Sequence, residues 1–96
     1  MSDEAHALSL ASAARRVLVE EPPRGLPAAV AAAVTEFLTG ALPDSPHRAG
    51  RPLARELAGY HSARRGAYRV VYRIDELART VHVVRIDHGA DVYRTH

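Results

Sequence analysis

One stretch, Arg64 to Asp75, limits what this chain can fold into. Read with a period of two, Tyr68, Val70, Tyr72 and Ile74 fall on one face, and Arg69, Val71, Arg73 and Asp75 on the other. That is the pattern of a strand buried on one side only. One face is suited to a core and the other to an anion. An arginine near the middle of a sheet is costly unless its charge meets a partner. Two on one strand face, with Arg64 and Arg65 just upstream, point to a phosphate-bearing ligand or an acidic protein.

The length of 96 residues, 47% of them hydrophobic, allows one domain with one modest core. Without cysteine neither a disulfide framework nor a thiolate metal site can form, and a reducing cytoplasm is the expected compartment. No apolar run approaches the roughly 20 residues that cross a bilayer, and the acidic start Met-Ser-Asp-Glu is unlike a secretory signal. No membrane partner is expected. All 13 basic residues are Arg, which limits what their number alone means, but their distribution is uneven. Residues 1–47 hold three Arg against six acids, net −3, whereas residues 48–96 hold ten against five, net +5. The C-terminal half is therefore the half that would meet nucleic acid. Any single one of these arginines is explained as well by a solvated surface whose stems cover apolar area.

Along the chain, Ala5 to Leu10 reads as a short first strand with Leu8 and Leu10 on one face. Ser12 is placed to cap a helix over 13–21, and Pro22-Pro23-Arg24-Gly25 ends it. A second helix runs from Pro27 to Thr39, with Val30, Val34, Phe37 and Leu38 at helical spacing and Gly40 as its stop. The two make a helical hairpin over about 11–40. Pro43-Asp44-Ser45-Pro46 opens a linker that carries His47 and Arg48, and Leu53 and Leu57 mark one helical turn. Strands follow at 60–64, through 75 and at 80–87, with an extended piece at 91–94. The expected class is α+β: an N-terminal strand and a helical hairpin packed on one face of a small antiparallel sheet over 60–94. The uncovered face is left for function.

If the turn over 75–79 pairs Ile74 with Thr80, Arg69 stands opposite Arg85, and a phosphate or a partner's carboxylate should bridge the two guanidinium groups. A register off by one would instead give Arg85 a partner such as Asp87. His88 and Tyr93 are the groups near the C-terminus able to move protons. The bland readings are an exposed turn residue for His88 and a C-terminal anchor for Tyr93. The other histidines lack metal-ligand spacing, so neither a metal nor another cofactor is expected.

Several runs together resemble the RelE branch of the RelE/ParE toxin superfamily. They are Gly50-Arg51-Pro52-Leu53 with Glu56-Leu57, Ser62 to Asp75, Arg85-Ile86-Asp87-His88, and Asp91-Val92-Tyr93-Arg94. The resemblance implies a microbial RNase-like fold and the toxin of a type II toxin–antitoxin system. Such a toxin cuts messenger RNA in the ribosomal A site without a metal and is held inactive by a small acidic antitoxin. It implies that Arg69 binds the scissile phosphate, that Tyr93 stacks on the base or transfers a proton, and that Arg85 and His88 complete the catalytic set. Arg51, Arg64, Arg65 and Arg73 would grip the backbone. The chain departs from the family where lysines precede the central strand, having Tyr60 and Ser62, and where an Arg follows the His, having Gly89. Two alternatives stay open: a ParE-like toxin that poisons DNA gyrase, and a catalytically degenerate homologue that only binds its antitoxin.

Overall fold

A computed structural model describes residues 5–88. Strand β1 (Ala7–Leu10) leads into helices α1 (Ser12–Val19) and α2 (Ala28–Thr39), and two single turns of helix follow, α3 (Ala41–Asp44) and α4 (Pro46–Ala49). The short strand β2 (Arg51–Pro52), a 3-10 turn at Arg55–Leu57, and strands β3 (Tyr60–Arg65), β4 (Tyr68–Asp75) and β5 (Thr80–His88) complete the described chain. The five strands form one sheet in the order β1-β5-β4-β3-β2, with β4 at its centre. The extended piece expected at 91–94, with Tyr93 and Gly89, lies outside the described residues. Among those residues no helix is long and apolar enough to cross a membrane.

The alternation of β4 decides which side becomes core. Val70 and Tyr72 are fully buried, and Tyr68 and Ile74 pack against them, together with Val81, Val83 and Ile86 of β5 and Leu8 and Leu10 of β1. The helices close this side with Ala14 and Val17 of α1 and Val34, Phe37 and Leu38 of α2, the apolar stripes their spacing foretells. Two details differ from expectation. The helix begins at Ser12 itself, with Ala11 at the capping position and no side-chain cap. The sheet is also mixed, because β1 runs parallel to β5, pairing Leu8 with Val81 and Leu10 with Val83. The intervening elements provide the long crossover that a parallel pair needs.

The expected register of β4 on β5 is corrected twice over. The hairpin closes on Asp75 and Thr80 rather than on Ile74 and Thr80. Asp75 Oδ1 accepts the Ala78 N–H at 3.0 Å and Arg79 takes a positive φ of 49°, so four residues make the turn instead of five. Val84 then forms a bulge: Tyr72 pairs with Val83, but Val71 pairs with Arg85. Were the ladder regular, Ile86 would fall on the arginine face and Arg85 in the core. The extra residue returns both to the correct side.

The proline-rich segment expected as a linker is packed structure. Leu42, Pro43 and Pro46 are buried, with Pro46 opening α4, where a missing N–H costs nothing. Their carbonyls are used: Pro43 O accepts the His6 N–H at 2.9 Å, and Pro46 O accepts the Tyr72 hydroxyl at 2.8 Å. Gly50 permits the approach of α4 to β3, since a Cβ there would lie 2.6 Å from Ser62 O and 2.7 Å from the Tyr72 hydroxyl oxygen. His47 contacts Glu76 of the β4–β5 turn, and the His61 ring stacks on Tyr72 with centroids 5.3 Å apart.

Burial pushes the Tyr72 phenol up to about 12, against the pull of the Arg65 guanidinium. An unfolded phenol loses its proton near about pH 10. The stabilisation is therefore whole below that pH and is lost as pH rises through about 12. Tyr72→Phe orphans the Pro46 carbonyl and should cost about 1–2 kcal/mol at neutral pH. Chemical denaturation at stepped pH should show wild-type stability falling between pH 10 and 12, with the fall reduced in the variant.

Candidate functional site

The side of the sheet away from the helices carries Ser62 and Arg64 of β3, Arg69, Val71 and Arg73 of β4, and Arg85 and Asp87 of β5. At the β3 end of this face an open cleft of about 470 Å³ is lined by Arg48 and Gly50 from the α4 end, Arg51 of β2, Ser62 and Arg64 of β3, and Arg69 of β4. Ala49, Ala63 and Arg65 also line it, and no Asp or Glu does among the described residues. Arg48, Arg51, Arg64 and Arg65 make no ion pair among the described residues.

Local geometry explains why the cations gather here. Gly66 at φ 62° makes a tight turn that sets Arg64 directly opposite Arg69. Like charges facing each other across two strands disfavour the pairing unless negative charge lies close to them. Arg64 is partly held by its Nε–H donating to Gly66 O at 3.2 Å. On the other edge of β3, Arg51 stands opposite Ser62, and the close approach at Gly50 brings in Arg48. An anion entering this cleft would meet guanidinium groups from three strands and a helical turn.

The residues singled out in the sequence fall into distinct places. Arg51, Arg64, Arg65 and Arg69 all line the cleft. Arg65, however, lies opposite Tyr68 on the helix side, with its guanidinium carbon 3.8 Å from the centre of the Phe37 ring. Arg73 is exposed between Tyr60 and His82, outside the cleft lining. Arg69 and Arg85 are not the expected cross-strand pair, because the short turn and the bulge put Asp87 opposite Arg69 and Val71 opposite Arg85. Arg85 Nε instead lies 2.7 Å from Asp87 Oδ2, the ion pair that a shifted register implies. His88 pairs with Tyr68, their rings edge to face at 5.4 Å, on the opposite side of the sheet from Arg69. Tyr93 lies outside the described residues.

Arg48, in a stretch whose prolines predict a linker, belongs to the site. Its only signal was the Gly at position 50, whose closeness to β3 no local pattern reveals. Nearby His61 has its pKa lowered by burial and by neighbouring His47, which keeps it neutral and adds no cation to this end of the sheet.

Comparison with known proteins places these features in a family. The ParE toxin family of type II toxin–antitoxin systems, parDE, matches residues 9–93. Toxin RelG of Mycobacterium tuberculosis is 54% identical over 81 residues, covering 84% of this chain and 87% of the relative. Toxin RelE of the same organism is 49% identical over 69 residues, 72% of this chain and 71% of the relative. Among solved structures, a RelBE toxin–antitoxin complex from Mycobacterium tuberculosis superposes with a TM-score of 0.78 at 46% identity, covering 88% of this chain and 99% of that one. The intact Escherichia coli RelBE complex shares the fold, with a TM-score of 0.69 at 21% identity over 88% of this chain and 96% of that one.

The acid across from Arg69 sets the potential beside the cleft. Asp87→Asn removes a negative charge opposite Arg69 and releases Arg85, so an oligonucleotide should bind two- to tenfold more tightly at low salt, with the gain fading as salt is raised. Fluorescence anisotropy at stepped ionic strength measures both.

Proposed function

Starting from the fact that this chain belongs to the ParE toxin family of type II toxin–antitoxin systems, within the RelE/ParE superfamily, we propose that it is a messenger RNA endonuclease acting on the translating ribosome. It is a toxin of the RelE family, and its partner is a cognate antitoxin. The finer reading rests on one observation: Arg48, Arg51, Arg64 and Arg69, from α4, β2, β3 and β4, converge on an open cleft whose lining holds no acid among the described residues. A surface of that kind suits a phosphodiester backbone.

In this reading Arg69, with Arg64 opposite, holds the scissile phosphate. The ribose 2′-oxygen attacks phosphorus as its proton passes to solvent water, the bond from phosphorus to the 5′-oxygen breaks, and a 2′,3′-cyclic phosphate and a 5′-hydroxyl result. The guanidinium groups stabilise the added negative charge as it develops. We assign protonation of the leaving 5′-oxygen to Tyr93, the role its place in the family pattern implies. His88, with its ring against Tyr68, is given no step. Arg85 adds positive field from beyond Asp87 rather than a direct contact. The toxin works in the cytoplasm, where ribosomes are. The acidic antitoxin and the messenger compete for the same cations, so neutralising the toxin and blocking its substrate are one event.

Gyrase poisoning, the alternative within the superfamily, asks for no proton transfer and gives no role to a phosphate cleft, and a supercoiling assay in the same extract separates it. Inducing the toxin without its antitoxin should arrest growth and create new messenger ends within coding regions. Arg69→Ala should lower the cleavage rate by about 10²-fold or more and relieve the arrest while leaving the thermal unfolding temperature within a few degrees. Arrest and messenger ends that persist in the variant would remove Arg69 from the mechanism.

A further inference from the structure

Resting on the RNA reading above, we propose that Ser62, Arg48 and Arg51 form a second phosphate subsite, adjacent to the one at Arg69 and Arg64. Ser62 carries the argument. It is the buried polar residue of the described chain, 6% exposed, and its hydroxyl has no hydrogen-bond partner there although it lines the cleft. A buried hydroxyl without a partner is an unfavourable arrangement, and a phosphate oxygen entering the cleft would accept its proton.

The two cations that complete the subsite come from outside β3. Arg51 is directly opposite Ser62 across the β2–β3 ladder, and Arg48 reaches the same cleft from α4 because Gly50 lets that turn approach Ser62 O. Neither Arg48 nor Arg51 is engaged by a carboxylate among the described residues. Ser62 and Arg64 are two residues apart on one face of β3, about 6.6 Å, a spacing of the order of one nucleotide of extended backbone. A single strand of RNA therefore crosses β3 with one phosphate at the Arg64–Arg69 pair and its neighbour at Ser62. The strand β3 itself has Tyr60 and Ser62 where a basic grip would be simplest to build. Here that grip is supplied from the next strand and the preceding helical turn.

The proposal is tested by anisotropy titration of a short single-stranded oligoribonucleotide, 2′-O-methylated so that it cannot be cut, at several salt concentrations. Each phosphate contact on a single strand contributes about 0.7 to the slope of log affinity against log salt. Arg48→Gln and Arg51→Gln should each lower that slope by up to about 0.7. Ser62→Ala, which removes a neutral donor, should weaken binding about fivefold with the slope unchanged. Arg15→Gln, on the exposed side of α1, is the charge control and should leave the slope as it was. Circular dichroism of each variant verifies the fold, and messenger-end mapping with wild type is run in parallel. Slopes in both arginine variants equal to wild type, Ser62→Ala affinity equal to wild type, or no binding by wild type would overturn the subsite. Reduced slopes without any wild-type messenger cleavage would uphold the subsite while the endonuclease reading fell.

Discussion

The cleft depends on a contact made on the opposite side of the sheet. Tyr72 fills the core with its ring and, through its hydroxyl, holds the Pro46 carbonyl at 2.8 Å. That bond draws α4 down onto the edge of β3, and Gly50 is the residue small enough to let the chain pass. This approach carries Arg48 to the edge of β3, beside Arg51 in the β2–β3 ladder. The cation cluster is thus a by-product of how one buried phenol is satisfied.

The same strand alternation that builds the core gathers arginines on its other side. Arg64 and Arg69 face each other because Gly66 makes the turn between β3 and β4 short, and the bulge at Val84 keeps Arg85 and Asp87 on that face as well. On the β5 side Arg85 is paired with Asp87, whereas Arg48, Arg51 and Arg64 around the cleft make no ion pair among the described residues. Positive charge is therefore concentrated where the sheet is open. Such a surface favours whatever brings negative charge to it, an acidic protein or a nucleic-acid backbone alike.

Much of this was legible in the sequence. The period-two pattern of β4 gave the correct faces for Tyr68 through Asp75, and the helical stripes of α1 and α2 gave the correct packing partners, because both signals are local. The register was not legible. A turn shortened by the Asp75 side chain and a bulge at Val84 depend on whether Ile86 can reach the core, a tertiary fact. The segment holding Arg48 was read as a linker because its prolines signal breaks. Each proline instead begins or fits a single helical turn, with its carbonyl accepting a bond from a distant element. The parallel placement of β1 was equally hidden, since a four-residue strand carries no mark of direction.

The account turns on whether the guanidinium groups of one cleft act together on one strand of RNA. Arginine Nε–H resonances, followed by nitrogen-15 NMR during titration with a non-cleavable oligoribonucleotide, test this most directly. The prediction is that Arg48, Arg51, Arg64 and Arg69 shift together at one stoichiometry while Arg15 and Arg16 of α1 stay in place. Shifts confined to the helix side, or spread evenly over all arginines, would contradict it.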